Sequence, residues 1–288
     1  MQSLDLRALE IFRAVAVEGS MSGAAAKLNR VQSNISTRIK QLEQQLEKNL
    51  FLRRHRGLTL TPDGQLLLAY TERFLRLSME TSEALKLGNP SGVFRIGAME
   101  STAAARLPEI LSRYHKLYPD VQIELETDTA GGLMDRLQNY DIEIAFTAEP
   151  VSFDWISTQP VFEEQLILVA PQSFPPLENT SEISGKTVIA FEAGCAYRRY
   201  LEQWLLEAGI VPGSIMAVSS YLAILACVSA GTGYAVIPQS VLDIVSTKGQ
   251  FQRYSLPDNV SHIKTLLAWR SDYKSAKLVA LKELLPAC

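Results

Sequence analysis

The sequence has few of the features that mark membrane, secreted or disulfide-bonded proteins. No segment approaches the roughly 20 consecutive apolar residues that a membrane helix requires. Its start, MQSLDLRALEIF, has neither the basic residues nor the continuous apolar stretch of a signal peptide. Cysteine is scarce, because only Cys195, Cys227 and Cys288 are present, and this odd number implies no disulfide framework. We therefore expect a cytoplasmic protein without a membrane partner.

Patterns typical of enzymes and metal sites are also missing. The three histidines, His55, His115 and His262, are isolated, and no two have the spacing of metal ligands on a helix. No Gly-x-Ser-x-Gly nucleophile motif occurs. The run AGTGYA at 230–235 follows a predicted helix and precedes a predicted strand, the reverse of the order that directs a helix N-terminus at phosphate. The sequence predicts no enzymatic activity, no catalytic residue, no metal and no cofactor.

Charge is distributed unevenly along the chain, whose formal net charge is −3. Residues 1–60 contain ten basic and five acidic side chains, which gives +5. Residues 61–288 contain eighteen basic and twenty-six acidic side chains, which gives −8. Such asymmetry indicates a module that binds a polyanion, joined to an acidic remainder.

The first sixty residues predict a helix-turn-helix followed by a wing. Leu6 to Val17 has one apolar face, and Gly19 ends this helix. A second, Ala-rich helix runs through GAAAKL after a cap at Ser20 or Ser22. A third helix runs from about Gln32 to Lys48, with four apolar residues facing inward: Ile35, Ile39, Leu42 and Leu46. This layout, with the helix-turn-helix at about 21–40, is typical of DNA-binding proteins.

The outer side of the third helix and the following hairpin carry side chains that suit DNA. Gln and Asn can bond adenine, Arg can bond guanine, and Ser, Thr and Lys can contact phosphate. The run LFLRRHRGLTLT at 50–61 predicts two short strands with a basic tip. The alternative is a solvated helix with an exposed hairpin. The candidate DNA-binding residues are Arg30, Gln32, Ser33, Asn34, Ser36, Thr37, Arg38, Lys40, Arg53, Arg54, His55 and Arg56.

A long helix is predicted between the basic module and the remainder. Thr61 is a good N-cap, Pro62 suits the first helical position, and the helix continues to about Leu87. Its apolar stripe is too extensive for a helix standing alone, so we expect it to pair with a copy of itself. The run GNPSG at 88–92 ends it and forms a hinge.

From Val93 onward, short predicted strands alternate with predicted helices. Strands such as VQIELET and HIKTLLAWR alternate with helices such as Thr102–Tyr118 and Tyr197–Ala208. This alternation predicts an α/β fold with mainly parallel sheets, arranged either as one large domain or as two lobes.

The whole chain resembles the LysR-type transcriptional regulators. The residues that carry the resemblance are Phe12, Ala16, Glu18, Gly19, Ser20, Ala24, Ala25, Leu28, Gln32, Ser36, Ile39, Leu42, Glu43, Leu46, Leu50, Phe51, Arg53, Leu60, Thr61 and Gly64. Four positions depart from the family pattern: Val31 replaces a Ser, Ser33 a Pro, Asn34 an Ala, and Asn49, which also tolerates a left-handed C-cap, a Gly. Three later segments, at 100–104, 194–204 and 225–238, resemble regulators of putrescine and semialdehyde catabolism.

The resemblance implies an α+β multi-domain fold. Its parts would be a winged helix-turn-helix DNA-binding domain at 1–60, a dimerising linker helix at 61–88 and an effector-binding domain at 92–288. The last resembles periplasmic binding proteins, with lobe I at about 92–161 and 269–288 and lobe II at about 162–268. Members usually assemble as dimers of dimers, so we expect a dimer or a tetramer.

An effector site is predicted where Ser101 and Thr102 follow a strand and begin a helix. Hydroxyls and free backbone N–H groups converge there at a sheet edge of the kind that binds ligands, although simple helix capping explains them too. The resemblance adds Thr129, Thr147, Cys195 and Ser219 on facing loops. Nearby, Glu100 and Glu192 favour an amine effector, whereas the start of the helix favours a carboxylate effector.

We therefore expect a ligand-responsive transcription factor whose partners are double-stranded promoter DNA, a small amine or carboxylate effector and, for an activator, RNA polymerase. One alternative is a small-molecule binding protein of the periplasmic type, and another is an enzyme on an α/β scaffold. A third is a thiol-based redox sensor, because a helix N-terminus with Arg198 and Arg199 nearby would lower the pKa of Cys195.

Overall fold

The computed structural model describes residues 4–54, 57–85, 88–245 and 251–286, with backbone alone described at 53, 54 and 180. The chain forms two compact units, Met1–Lys86 and Leu87–Cys288, called here the first and the second unit. No helix in the described ranges is long and apolar enough to cross a membrane.

The first unit begins with three helices: α1 (Leu6–Glu18), α2 (Met21–Lys27) and α3 (Gln32–Leu46). Asp5 caps α1, and Gly19 follows it in the left-handed region with φ 62°. Ser20 Oγ accepts a hydrogen bond from the backbone N–H of Gly23 at 3.0 Å, so Ser20 is the cap of α2. The three predicted helices are confirmed.

The end of α3 differs from the prediction. The helix ends at Leu46 rather than Lys48, because Glu47 adopts the left-handed conformation with φ 52°. Its backbone N–H and that of Lys48 return to the carbonyls of Gln44 and Glu43. The left-handed residue after α3 is therefore Glu47 and not Asn49.

A small apolar core holds these helices together. Phe12 of α1 is fully buried, and its ring lies 5.4 Å from that of Phe51. The buried residues that surround it come from all three helices: Val15, Ala24, Ile35, Ile39 and Leu42. Because α3 buries these apolar residues, its polar side faces outward.

The predicted wing is an antiparallel hairpin of β1 (Phe51–Arg54) and β2 (Gly57–Leu60). Leu58 donates its N–H to the carbonyl of Gly19 at 2.8 Å, which ties the hairpin to the end of α1. Gly57 has φ 123°, and a Cβ at this position would lie 2.8 Å from Gly19 O. Glycine is therefore required where the hairpin meets α1.

The long helix α4 (Pro62–Ala84) has the predicted start but ends three residues before the predicted Leu87. Thr61 Oγ1 accepts from the N–H of Gly64 at 3.0 Å, which confirms the N-cap. Large apolar side chains at helical spacing are exposed along it: Leu66, Tyr70, Phe74 and Leu77.

The second unit contains a nine-stranded sheet. In order of their ranges given next, eight strands follow the path β4-β3-β5-β11-β6-β9-β7-β8, and the ninth, β10, pairs with β6 beside this path. Its strands are β3 (Gly92–Ala98), β4 (Val121–Thr127), β5 (Ile144–Ala148), β6 (Ile156–Pro171), β7 (Thr187–Ala190), β8 (Ser214–Ala217), β9 (Tyr234–Pro238), β10 (Phe251–Ser255) and β11 (His262–Arg270). Its helices are α5 (Glu100–Ala105), α6 (Leu107–Leu117), α7 (Ala130–Gln138), α8 (Ala196–Glu207), α9 (Tyr221–Ser229), α10 (Gln239–Ile244), α11 (Asp258–Ser261) and α12 (Ala276–Lys282), with a 3₁₀ turn at Thr180–Ile183.

The expectation of mainly parallel sheets is only half right. Strands β3, β4 and β5 are parallel, as are β7, β8 and β9. The centre is antiparallel, because β6 and β11 run side by side and join the two parallel groups. The single helix predicted at Thr102–Tyr118 is two helices that meet at Arg106, and Pro108 begins the second of them.

Two hydrophobic cores lie on the two parallel groups. The first contains Phe94, Ile96, Tyr114, Phe146 and Leu281. The second contains Leu168, Ile189, Trp204, Leu225 and Ile237. The second unit therefore has two halves that share β6 and β11, an arrangement that places the ends of both parallel groups near one another.

Candidate functional site

The first candidate surface is the polar side of α3. Six of the residues predicted to contact DNA are exposed on this side: Gln32, Ser33, Asn34, Thr37, Arg38 and Lys40. A seventh, Ser36, is half-buried. A shallow groove on this surface is lined by Val31, Ser33, Asn34, Thr37, Arg38 and Gln41. The structure thus brings the predicted residues of α3 together.

Cationic side chains on this surface are free for an external partner. Arg30, Arg38 and Lys40 make no ion pair with any residue in the described ranges. By contrast, Lys27 pairs with Glu18 at 2.8 Å and Arg13 pairs with Glu72 at 2.8 Å. Positive charge without an internal partner is the feature that phosphate groups neutralise.

Two details of this surface were not predicted. Gln41 shares the groove, and its helical spacing from Asn34 and Thr37 could have shown this. The Thr37 hydroxyl donates to the carbonyl of Ser33 at 2.9 Å, so only its oxygen lone pairs remain for a partner. The predicted wing contacts are not described: the side chains of Arg53 and Arg54, and all of His55 and Arg56, lie outside the described residues.

The second candidate site is a cavity of about 240 Å³ in the second unit. It opens at the carboxyl ends of four strands, β3, β4, β7 and β8, where α5, α7, α8 and α9 begin. The carboxyl ends of parallel strands form the usual ligand-binding edge of an open α/β sheet. Its lining consists of Met99, Glu100, Ser101, Thr127, Asp128, Thr129, Ala130, Phe191, Glu192, Cys195, Ala196, Tyr197, Ser219 and Tyr221.

Four of the six predicted effector residues line this cavity: Ser101, Thr129, Cys195 and Ser219. Thr102 and Thr147 do not, because both are buried away from it. Thr102 is rotated by about 100° from Ser101 around the helix axis, so its side chain points in a different direction. Thr147 lies within β5, every residue of which is buried.

The aromatic part of the lining was missed in the sequence. Phe191 and Tyr221 are in contact with ring centroids 4.6 Å apart and planes tilted by 54°, and Tyr197 also lines the cavity. Each of the three stands at the end of a strand or the start of a helix on the predicted sheet edge. That position could have identified them.

Glu100 reaches across the cavity from α5 to the start of α9. Its carboxylate accepts from the N–H of Tyr221, with distances of 3.0 and 3.3 Å to its two oxygens. Burial raises the pKa of Glu100 above its usual range, while the Tyr221 N–H and the Ser220 hydroxyl lower it by less. Glu100 therefore caps α9 in place of a Ser or Thr side chain.

Two hydroxyls in the lining have no partner. Ser101 Oγ and Tyr197 OH are both buried, and neither makes a hydrogen bond to a described residue. The hydroxyls of Ser101 and Thr265 lie near the Tyr197 hydroxyl and lower its pKa slightly, although none of the three meets full hydrogen-bond geometry. Burial is also the main cause that raises the pKa of the Tyr197 hydroxyl. Unpaired buried hydroxyls are rare in folded proteins and indicate that a ligand or water completes the site.

Behind the cavity, a buried carboxylate connects the two halves of the second unit. Glu164 on β6 is 1% exposed. It accepts from Arg106 Nε at 2.7 Å and from the hydroxyl of Ser240 on α10 at 2.7 Å. Arg106 follows α5, whose first residues line the cavity, so this network joins the cavity wall to the opposite half.

Cys195 does not have the environment of a reactive thiol. Burial raises the pKa of Cys195, and the N–H groups of Arg198 and Tyr197, and the charge of Arg198, only partly offset this. The helix N-terminus and Arg198 do lower this pKa, as expected, but burial outweighs them and the net shift is upward, so the expected low pKa is wrong. The Arg198 guanidinium is instead bonded to Glu202 and to the carbonyl of Phe191.

A raised pKa leaves Cys195 protonated at pH 7, so we expect slow alkylation because only the thiolate reacts. Iodoacetamide should modify Cys195 about tenfold more slowly than free cysteine, as followed by mass spectrometry. A Cys195→Ser variant provides the control that assigns the modified site. Alkylation as fast as that of free cysteine would restore the redox-sensor alternative.

The described part of the chain holds no group of three or more His, Cys, Asp or Glu residues that could bind a metal ion. The structure therefore offers a polar helical surface in one unit and an acidic, hydroxyl-lined cavity in the other.

Comparisons with known proteins agree on one family. Residues 6–65 match the family model described as bacterial regulatory helix-turn-helix protein, lysR family, and residues 87–287 match the LysR substrate binding domain. The HTH-type transcriptional regulator GltR of Bacillus subtilis (strain 168) is 35% identical over 270 residues, which cover 93% of this chain and 91% of GltR. The uncharacterized HTH-type transcriptional regulator YusT of the same strain is 37% identical over 273 residues, covering 94% and 90%. Among solved structures, full-length CbnR in complex with its target DNA has the same fold, with a TM-score of 0.71, 21% identity and coverage of 98% and 99%.

Proposed function

Because the chain belongs to the LysR family of DNA-binding transcriptional regulators, we propose how its residues divide the work of regulation. In this family a helix-turn-helix domain accompanies an effector-binding substrate domain, and its members are regulators rather than enzymes. The proposal assigns promoter recognition to the polar side of α3 and effector binding to the cavity in the second unit.

The DNA-binding part of the proposal rests on one observation, the exposed polar side of α3 with unpaired cations. Gln32, Ser33 and Asn34 at the start of α3 contact base edges in the major groove, and Arg38 and Lys40 contact phosphates. The wing arginines would reach the backbone or the minor groove. In a dimer, two copies of α3 enter successive major grooves about 34–36 Å apart at a pseudo-palindromic site.

Self-association through α4 supplies that dimer. The apolar side chains along α4 that are exposed in the single chain include Leu66, which is 60% exposed. Pairing with a second α4 would remove them from water, and burying such side chains stabilises an assembly. A dimer formed in this way, or a tetramer of two such dimers, would bind promoter DNA in the cytoplasm and contact RNA polymerase if it activates transcription.

The effector is proposed to be a small amine or carboxylate metabolite held in the cavity. Four hydroxyl or thiol groups predicted from the sequence line it, and Glu164 links its wall to both halves. A ligand shifts the arrangement of the halves only if it binds two arrangements with different affinity. The narrower resemblance to regulators of putrescine catabolism is not part of the proposal, because neither relative named above supports it.

The DNA-binding surface can be tested with duplexes selected from a random library by the full-length protein. We expect the affinity for the selected duplex to fall steeply with salt, because Arg and Lys displace counterions from phosphates. Lys40→Ala should reduce the slope of log K against log salt by about 1. Gln32→Ala should cost about 1–3 kcal/mol and relax the preference at one base position.

The matched control is Gln44→Ala, because Gln44 is exposed on the same helix but lies outside the groove. It should leave both the affinity and the salt slope unchanged. A salt-independent affinity, or an equal loss in Gln44→Ala and Gln32→Ala, would contradict recognition by this side of α3.

A further inference from the structure

The charged side chains in the cavity lining are all acidic. Glu100, Asp128 and Glu192 line it, and no Lys, Arg or His of the described ranges does. Charges of one sign in a cleft with low-dielectric walls create a strong local potential. The cavity therefore attracts a positively charged ligand.

Internal cations neutralise little of this charge. Asp128 Oδ2 lies 4.0 Å from Arg136 Nε, but Arg136 is also paired with Glu126. Glu100 and Glu192 make no ion pair with any part of the chain that the structure describes. Glu100 is moreover desolvated, so a cation beside it would favour its charged form.

Helix N-termini at the cavity offer little opposing attraction for an anion. Thr129 Oγ1 caps α7 by accepting from the N–H of Gly132 at 3.2 Å, and Glu100 caps α9. Of the four helices that begin at the cavity, α5 and α8 lack a side-chain cap. Each free helix N-terminus carries roughly half a positive charge, so the two together carry less charge than the three carboxylates.

The acidic side chains suit an organic cation better than a metal ion. Among described residues they do not converge into a group that could hold a metal. An ammonium group on an organic molecule can lie between separated carboxylates and aromatic faces. Phe191 and Tyr221 are the paired aromatic side chains in the lining.

The unpaired hydroxyls of Ser101 and Tyr197 are an independent indication of a ligand. Both are buried in the lining and can donate to or accept from a polar group. The cavity of about 240 Å³ equals the volume of about eight waters at ~30 Å³ each. A ligand of similar size can therefore lie beside the carboxylates, with the hydroxyls of these two lining residues buried in the cavity wall.

We propose that this cavity binds a small organic ammonium ion, with the cation beside Glu100 and Glu192 and a second polar group at Ser101 and Tyr197. This inference rests on the proposed function, because it specifies the ligand class of the effector cavity. Glu100 has two roles in it, since the carboxylate that caps α9 also contacts the cation.

The test uses 4-amino-1-butanol as the ammonium probe and 4-hydroxybutanoate as the matched carboxylate probe. Calorimetric titration of the full-length protein should show the amine binding about tenfold or more tightly than the carboxylate, a factor worth 1.4 kcal/mol. Glu100→Gln and Glu192→Gln should each weaken amine binding at least fivefold, about 1 kcal/mol. Glu178→Gln is the control, because Glu178 is exposed and outside the lining, and it should change nothing.

The outcomes separate this inference from the proposed function. Tighter binding of the carboxylate, weakened by Tyr197→Phe, would overturn the ammonium ligand and leave the effector cavity intact. Amine binding that neither Gln variant weakens would also overturn it. A protein that binds neither probe but still binds the selected duplex overturns the ammonium ligand and leaves promoter recognition by α3 standing.

Discussion

Replacing Lys277 by Met should lower the thermal unfolding midpoint of the second unit by roughly 10 °C. Lys277 is 2% exposed, and its Nζ donates to Glu143 Oε1 at 3.0 Å and to the carbonyl of Val93 at 2.5 Å. Met fills a similar volume but removes the cation that faces the partly buried carboxylate of Glu143. Breaking a buried ion pair from one side typically costs about 3–5 kcal/mol.

The double variant Lys277→Met with Glu143→Gln separates the charge from the packing. It also removes the negative charge of Glu143, so it should recover a large part of the lost stability. Lys274→Met is the matched control, because Lys274 is exposed near the same helix, and its midpoint should stay within about 2 °C of wild type. Circular dichroism during heating measures all three. A single variant as stable as wild type would show that the ion pair contributes nothing.

Replacing Gly64 by Ala should destabilise the first unit by about 3 kcal/mol and lower its unfolding midpoint by roughly 15 °C. Gly64 lies in the first turn of α4, and a Cβ there would stand 2.2 Å from the carbonyl oxygen of Leu50. That oxygen also accepts from the N–H of Thr61 at 3.0 Å, so neither backbone segment can move without losing a bond.

Gln65→Ala is the control for this prediction, because Gln65 is the exposed neighbour of Gly64 in the same helical turn. Its midpoint should match wild type, since Ala has a high helix propensity. Affinity for the selected duplex should fall with Gly64→Ala at temperatures where the first unit unfolds. A Gly64→Ala protein that melts like Gln65→Ala would contradict the close approach to Leu50.

Local features of the fold were predictable, because helix caps and helical spacing depend on residues a few positions apart in the sequence. The N-cap residues Ser20 and Thr61 predicted the starts of α2 and α4. The residues of α3 that face the core were also identified from the sequence. The centre of the second unit was not predictable in the same way. The first part of β6, residues 156–165, pairs with β11 about a hundred residues later, and no local sequence pattern predicts that pairing.

The same distinction applies to the two sites. The surface on α3 follows from one helix, so residues at helical spacing identified most of it. The cavity is assembled from four strand ends and the loops after them, and its aromatic residues Phe191 and Tyr221 have no local pattern of their own. Thr147 was misplaced because a buried strand gives no indication of which side faces a cleft.

The continuous ribbon of β6 and β11 limits how the second unit can respond to a ligand. One strand, β6, pairs with β11 over its first part and with β9 and β10 over its last. Because backbone hydrogen bonds run along the whole of β6, its partner strands cannot easily slide past it or separate from it. Twisting about the strand axis is the easiest deformation of the ribbon. The register shift between Thr265 and Leu266 is the point of least resistance, since a bulge bends and twists a strand. Occupancy of the cavity would thus be transmitted as a small rotation about this axis.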